Sequence, residues 1–239
     1  MHRLRLITGT QLERLHFAAL SPASRGRTRR RVLHRLVTWR VLTTLDRRVG
    51  GVRAGSDGLI YTLDTAGVWL TYHHAATGTA PRRPRQPGSA FTTHILAVTE
   101  LYVRLIEHSR IQPFEVTEFD TEPACWCPDS FGGHLKPDAY TLLSTPDYND
   151  AWWIEADLGT ESLPRLRKKL QSYLDFAHQG GIGPGGVLPR VLITTPTAKR
   201  CTAIKALITG LPTPADQLFH PVLHSSAIDH LIIALLVDQ

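Results

Sequence analysis

Methionine occurs once and cysteine three times in these 239 residues. An odd, small set of thiols excludes a disulfide scaffold, so Cys125, Cys127 and Cys201 are expected to be reduced. No stretch approaches the ~20 consecutive apolar residues that cross a bilayer, and the opening MHRLRLITGTQ lacks the apolar core of a signal peptide. The expected setting is the cytoplasm, with no membrane role. The common catalytic signatures are missing too. GGIGPGG around residue 183 has no Lys-Ser/Thr after it and no strand to orient it, so it reads as a turn and not a phosphate loop. The twelve histidines include no HExxH pair, and no Ser or Cys stands in an elbow or triad spacing. Cys125-Trp126-Cys127 with His134 is one residue short of a zinc knuckle and has no evident fourth ligand. Trp152 and Trp153, adjacent in a strand-like run, read as packing residues before stacking platforms.

Acid is scarce at the front of the chain. Residues 1–90 carry 16 Lys plus Arg against 4 Asp plus Glu, whereas residues 91–239 carry 11 against 17, so a formal charge of +6 conceals +12 followed by −6. Two parts with opposite signs face different partners, and the basic one suits a polyanion.

In the front part, Leu12, Leu15, His16 and Ala19 recur at helical spacing behind Thr10, which could cap them, and the pattern stops at Ser21-Pro22. A second helix is expected from about Ser24 through RGRTRRRVLHRLVTWRVL, with Val32, Leu33, Leu36, Val37 and Trp39 as its apolar stripe. Two strand-like runs, LTTL and LIYTLDTAGVWL, flank a glycine-rich basic turn. Helix, basic helix and basic hairpin make the order of a winged helix-turn-helix in residues 1–75. Arg25, Arg27, Arg29, Arg30, Arg31 and Arg35 on the helix, with Arg47, Arg48 and Arg53 in the wing, are the expected contacts to double-stranded DNA. Guanidinium forks match phosphates and guanine edges, and phosphate contacts make binding salt-dependent.

Residues 76–90 hold three prolines, two glycines and three arginines without apolar periodicity and read as a linker. Residues 91–239 then read as an α/β domain in the order α-β-β-β-α-β-α-β-α. It opens with a helix over 91–107 and includes FEVTEF, LKPDAYTLL, AWWIEADLG and VLPRVLITTP as strands and SLPRLRKKLQSYLDFAHQ as a helix. Between residues 115 and 161 stand eleven carboxylates and one basic side chain, Lys136. Such crowding repels itself unless a cation intervenes. Strand side chains two apart share a face, which puts Glu155 with Asp157, and Asp138 lies on what reads as the neighbouring strand. If the register brings them together, three carboxylates make a hard oxygen set suited to Mg2+ or Mn2+, where an ion could activate water against a phosphodiester.

This pattern resembles the core of PD-(D/E)xK nucleases over residues 91–196, with Pro137-Asp138 and the pair Glu155, Asp157 at matching places. The nuclease pattern has Lys two residues after the acidic ligand, where this chain has Asp157; Lys169, on the helical face of Leu170 and Tyr173, is the expected substitute. More narrowly, the basic front followed by LKPDAY, WWIEADLGTES and KKLQSY resembles the replication-relaxation family of actinobacterial plasmids and integrative elements, over nearly the whole chain. The resemblance implies work on the replication, mobilisation or maintenance of mobile DNA. Asp138, Glu155, Asp157 and Lys169 would be catalytic and the three acids metal-binding. The alternative is a non-catalytic accessory factor or transcriptional regulator that recruits a relaxase or replication protein.

Overall fold

The computed structural model describes residues 3–45, 58–72, 87–129 and 132–237. Arg47, Arg48 and Arg53, and most of the expected linker, lie outside the described residues. The class is mixed α/β, as expected. Among the described residues no helix is long and apolar enough to cross a membrane. The chain forms two compact units, Met1–Glu107 and His108–Gln239.

The first unit runs β1 (Ile7–Thr8), α1 (Gly9–His16), α2 (Pro22–Thr38), β2 (Leu42–Leu45), β3 (Ile60–Leu63), α3 (Thr65–Tyr72) and α4 (Ser89–Ser109). Thr8, not Thr10, caps α1: its hydroxyl accepts from the Gln11 N–H at 3.2 Å, and its own N–H donates to Gln11 Oε1 at 3.0 Å. Pro22 stands in the first turn of α2, where a missing N–H costs nothing. Only Leu33 of the expected apolar stripe is buried, and Trp39 stands out in solvent. β3 lies between β1 and β2 in an antiparallel sheet, with Ile7 opposite Tyr61 and Leu45 opposite Ile60.

The run LIYTLDTAGVWL is not one strand. It breaks after Leu63, where the Asp64 carboxylate accepts from the Thr65 N–H at 2.6 Å and α3 begins. Gly67 then lets α3 settle directly on the preceding backbone, since a Cβ there would stand 2.1 Å from the Val41 carbonyl oxygen. The helix expected over 91–107 extends to Ser89–Ser109 and belongs with the front unit. Ile95 joins Leu6, Leu45 and Ile60 in one core, Thr99 donates to the Leu6 carbonyl at 2.9 Å, and Gln11 donates to Glu100 at 2.9 Å. These long-range bonds, invisible in a local pattern, tie α4 to the front unit.

The second unit contains β4 (Glu115–Thr121), a short hairpin β5 (Cys127–Pro128) and β6 (His134–Leu135), then β7 (Ala139–Ser144), β8 (Asn149–Ala156), α5 (Leu163–His178), β9 (Arg190–Thr195), α6 (Ala198–Thr209), α7 (Ala215–Leu218), β10 (Phe219–Leu223) and α8 (Ala227–Val237). Its sheet has the order β10-β9-β8-β7-β4. β4, β7 and β8 form an antiparallel meander, while β9 and β10 run parallel to their neighbours and are each reached through helix. Every residue of β8 from Asp150 to Ala156 is buried, because both faces of this central strand are covered. On one face Trp153, Val191 and Ile193 pack against Leu166, Leu170, Tyr173 and Phe176 of α5. On the other, Trp152 lies edge-on to His220 at 5.0 Å and His230 at 5.7 Å, with the Arg190 guanidinium 4.2 Å from its ring. The segment around residue 183 is the expected turn, with Gly185 and Gly186 at φ 74 and 78.

Gly67→Ala is expected to destabilise the protein by more than ~2 kcal/mol, because backbone must move to admit the methyl group. Urea unfolding of the full chain reads this as a lowered midpoint; an unchanged midpoint would mean that α3 does not rest on Val41.

Candidate functional site

The end of the β7–β8 pair gathers Asp138, Glu155 and Lys169. Asp138 immediately precedes β7, donates its N–H to the Ile154 carbonyl at 3.1 Å and accepts from the Ala156 N–H through Oδ2 at 2.8 Å. Both bonds fix the carboxylate against the last residues of β8. Glu155 shares the α5-facing side of β8 with Trp153. Lys169 and Tyr173, one helical turn apart, present their polar ends to it from α5. The Lys169 ammonium donates to Glu155 Oε2 and lies 3.6 Å from Asp138 Oδ1, and the Tyr173 hydroxyl donates to Glu155 Oε1. The structure therefore brings together Asp138, Glu155 and Lys169 and adds Tyr173.

Electrostatics make this grouping costly as a piece of core. The Glu155 side chain is 4% exposed, and burial, reinforced by Asp138, pushes its carboxyl up to about 8 against the opposing pull of Lys169 and Tyr173. Burial works against the Lys169 ammonium, yet Glu155 and Asp138 prevail and hold it above its ordinary value. Burial and Glu155 raise the Tyr173 hydroxyl. The Cys125 thiol, 3.2 Å from the Pro137 carbonyl, is likewise raised, chiefly by burial, with Asp138 and Glu155 adding to it. Both carboxylates face the Lys169 ammonium, and burial together with Asp138 keeps the proton on Glu155 above the usual carboxylate range.

Asp157 does not join them. β8 ends at Ala156, and the Asp157 carboxylate accepts from Arg200 Nε at 2.6 Å and from the Gly159 N–H at 2.6 Å. Arg200 also donates to the Glu161 carbonyl at 2.7 Å, tying down the β8–α5 loop. The expected three-carboxylate set is thus not assembled, and among the described residues no three of His, Cys, Asp and Glu stand together as metal ligands. The oxygens of Asp138 and Glu155 are hard donors that already meet on one nitrogen. Asp138 and Glu155 are therefore the residues that would hold a divalent ion. Arg200 was not foreseen; only the parallel pairing of β8 with β9 carries the start of α6 back to Asp157.

At the front, α2 contains no acidic residue, and Arg27, Arg30, Arg31 and Arg35 are exposed along it with His34. Two of the expected DNA contacts are turned inward instead. Arg29 is 3% exposed and lies 3.1 Å from Glu13 of α1, an internal ion pair. Arg25 donates to the Ala18 and Leu20 carbonyls at 2.8 and 3.0 Å, closing the α1–α2 turn.

Taken together, these features define a two-unit α/β protein with an arginine-faced helix in one unit and a buried Asp-Glu-Lys-Tyr cluster in the other. The chain belongs to the replication-relaxation family, whose model matches residues 1–191. Membership points to a role in plasmid replication or relaxation. No curated protein and no solved structure matches the chain.

The raised Glu155 carboxyl has a consequence for stability. Between its ordinary 4.5 and about 8 the folded state keeps a proton that the unfolded chain releases, so this group's contribution falls as pH rises through that window. Glu155→Gln should flatten the fall and unfold at a higher temperature than wild type at pH above 8. Calorimetry across pH checks this; a variant with an unchanged pH slope contradicts it.

Proposed function

We propose that this chain is a cytoplasmic DNA-binding protein of plasmid replication, relaxation or mobilisation, and that its rear unit cleaves a phosphodiester with Mg2+ or Mn2+. The observation that carries the first half is the exposed row Arg27, Arg30, Arg31 and Arg35 on a helix devoid of acid. β1, α1, α2, β2 and β3 follow one another as in a winged helix-turn-helix, with α2 as the helix that enters the major groove. Arg25 and Arg29 serve this reading from inside, fixing α2 against α1.

In the rear unit, read as PD-(D/E)xK-like, Asp138 and Glu155 would hold the ion, which supplies Lewis acidity to the phosphate and lowers the pKa of attacking water. Asp138 is held in place by the end of β8 and Glu155 by Tyr173. Lys169, released from Glu155, would contact the scissile phosphate or orient the water. Asp157, neutralised by Arg200, takes no part in holding the ion and fixes the loop that leads into α5.

One observation favours a second reading, that of an accessory factor recruiting a relaxase or replication protein. Both Glu155 oxygens already have donors in Lys169 and Tyr173, so the cluster is complete without an ion.

Arg30→Ala with Arg31→Ala should weaken duplex binding at least tenfold and lower the slope of log affinity against log salt by about 2. Arg29→Ala should instead lower stability by leaving Glu13 without its buried partner. Fluorescence anisotropy over a salt series separates these effects, and unchanged binding by the double variant would remove α2 from the interface. For cleavage, supercoiled plasmid with Mn2+ should be nicked by wild type and not by Glu155→Gln or Lys169→Met. Equal nicking by all three, or none by wild type, leaves the accessory reading.

A further inference from the structure

Trp39 departs most from the apolar pattern of its helix. A tryptophan at the end of a run of buried-type residues is expected inside, yet its side chain is 56% exposed. The Arg35 guanidinium, one turn earlier, lies 4.6 Å from its ring centroid. The indole thus lies open on a side of α2 otherwise lined by arginine.

The backbone beneath it is firmly fixed. The Trp39 N–H donates to the Arg35 carbonyl at 2.9 Å, and Arg40 then turns into the left-handed region at φ 57, a costly conformation for a residue other than glycine. Val41 donates back to the Leu36 carbonyl at 3.0 Å, closing the helix end. Arg40 reaches Asp64 and Thr65, each at 3.4 Å, and its carbonyl accepts from the Ala66 N–H at 3.1 Å. On the other side of the turn, Gly67 of α3 makes its close approach to Val41. Trp39 is therefore presented by a rigid turn and is not a loose surface residue.

Charge identifies the occupant. α2 carries no acid, and Arg27, Arg30, Arg31 and Arg35 share its open side. An apolar protein surface would bring nothing to neutralise those cations. Nucleic acid brings phosphates for the arginines and a planar base for the indole. From Arg27 to Trp39 the helix rises ~18 Å, roughly five nucleotide steps of ~3.4 Å along one strand. In uninterrupted duplex both faces of every base are already stacked, so an indole beside the arginines gains a partner only where a base is unpaired.

We propose that Trp39, backed by Arg35, is a base-stacking site, and that the front unit prefers duplex DNA bordering an unpaired region, as in a melted or displaced strand, over continuous duplex. This rests on α2 being the DNA-binding helix.

The test compares two labelled DNAs of one sequence at low salt, one fully paired and one with a short central bubble, using the full chain. Wild type should bind the bubble about tenfold more tightly. Trp39→Ala should lose that preference while binding the paired duplex within twofold of wild type, and Trp39→Phe should keep most of it. Equal binding of both DNAs by wild type, or equal weakening on both by Trp39→Ala, overturns the stacking role and leaves α2 as a duplex-binding helix. Failure of wild type to bind either DNA overturns the DNA-binding reading itself.

Discussion

One ammonium shared between two carboxylates is the interaction on which the rear unit turns. Glu155 lies on a central strand buried on both faces, where an ionised side chain without a counter-charge is among the most costly things a core can contain. Lys169 supplies the counter-charge from α5, and Tyr173 satisfies the remaining oxygen. Asp138, held by the Ala156 N–H, adds a second negative charge that the same ammonium must serve. Packing alone does not call for this, since apolar residues of like volume would fill the space at lower cost.

The front unit solves a similar problem in a different way. A helix crowded with arginine repels itself, and two of its cations are turned inward to hold it: Arg29 onto Glu13 and Arg25 onto the carbonyls that end α1. The others remain in solvent, available to a polyanion. The unit is thus built partly from the residue type it displays, and counting arginines overstates the surface that can bind. In both units an ion pair fixes one helix, α2 at the front and α5 behind, and so positions the residues around it.

Much of this was legible in sequence where periodicity is strong. Alternation in WWIEADLG placed Glu155 on one face, and helical spacing set Lys169, Leu170 and Tyr173 together, so their grouping needed only a register in which β7 meets β8. What escaped were long-range pairings. Asp157 follows the same alternation as Glu155, but the strand stops one residue too soon and Arg200, 43 residues away, takes its carboxylate. Trp39 fits an apolar stripe by spacing, yet the left-handed turn at Arg40 ends the helix with the indole outside. GVWL reads as strand by composition, yet it lies in α3, which begins directly after Asp64. The membership of α4 depends on partners such as Leu6 and Gln11, some ninety residues earlier, which no local window contains.

The claim that this cluster is a charge-strained site is tested most directly by the titration of Glu155 itself. In protein labelled with carbon-13 at the glutamate carboxyl, with the signal assigned by its disappearance in Glu155→Gln, the resonance should titrate with a midpoint near about 8 and move lower in Asp138→Asn. A midpoint near the ordinary 4.5 would mean that Lys169 alone neutralises Glu155. The cluster would then be a plain structural ion pair with no call for a further cation.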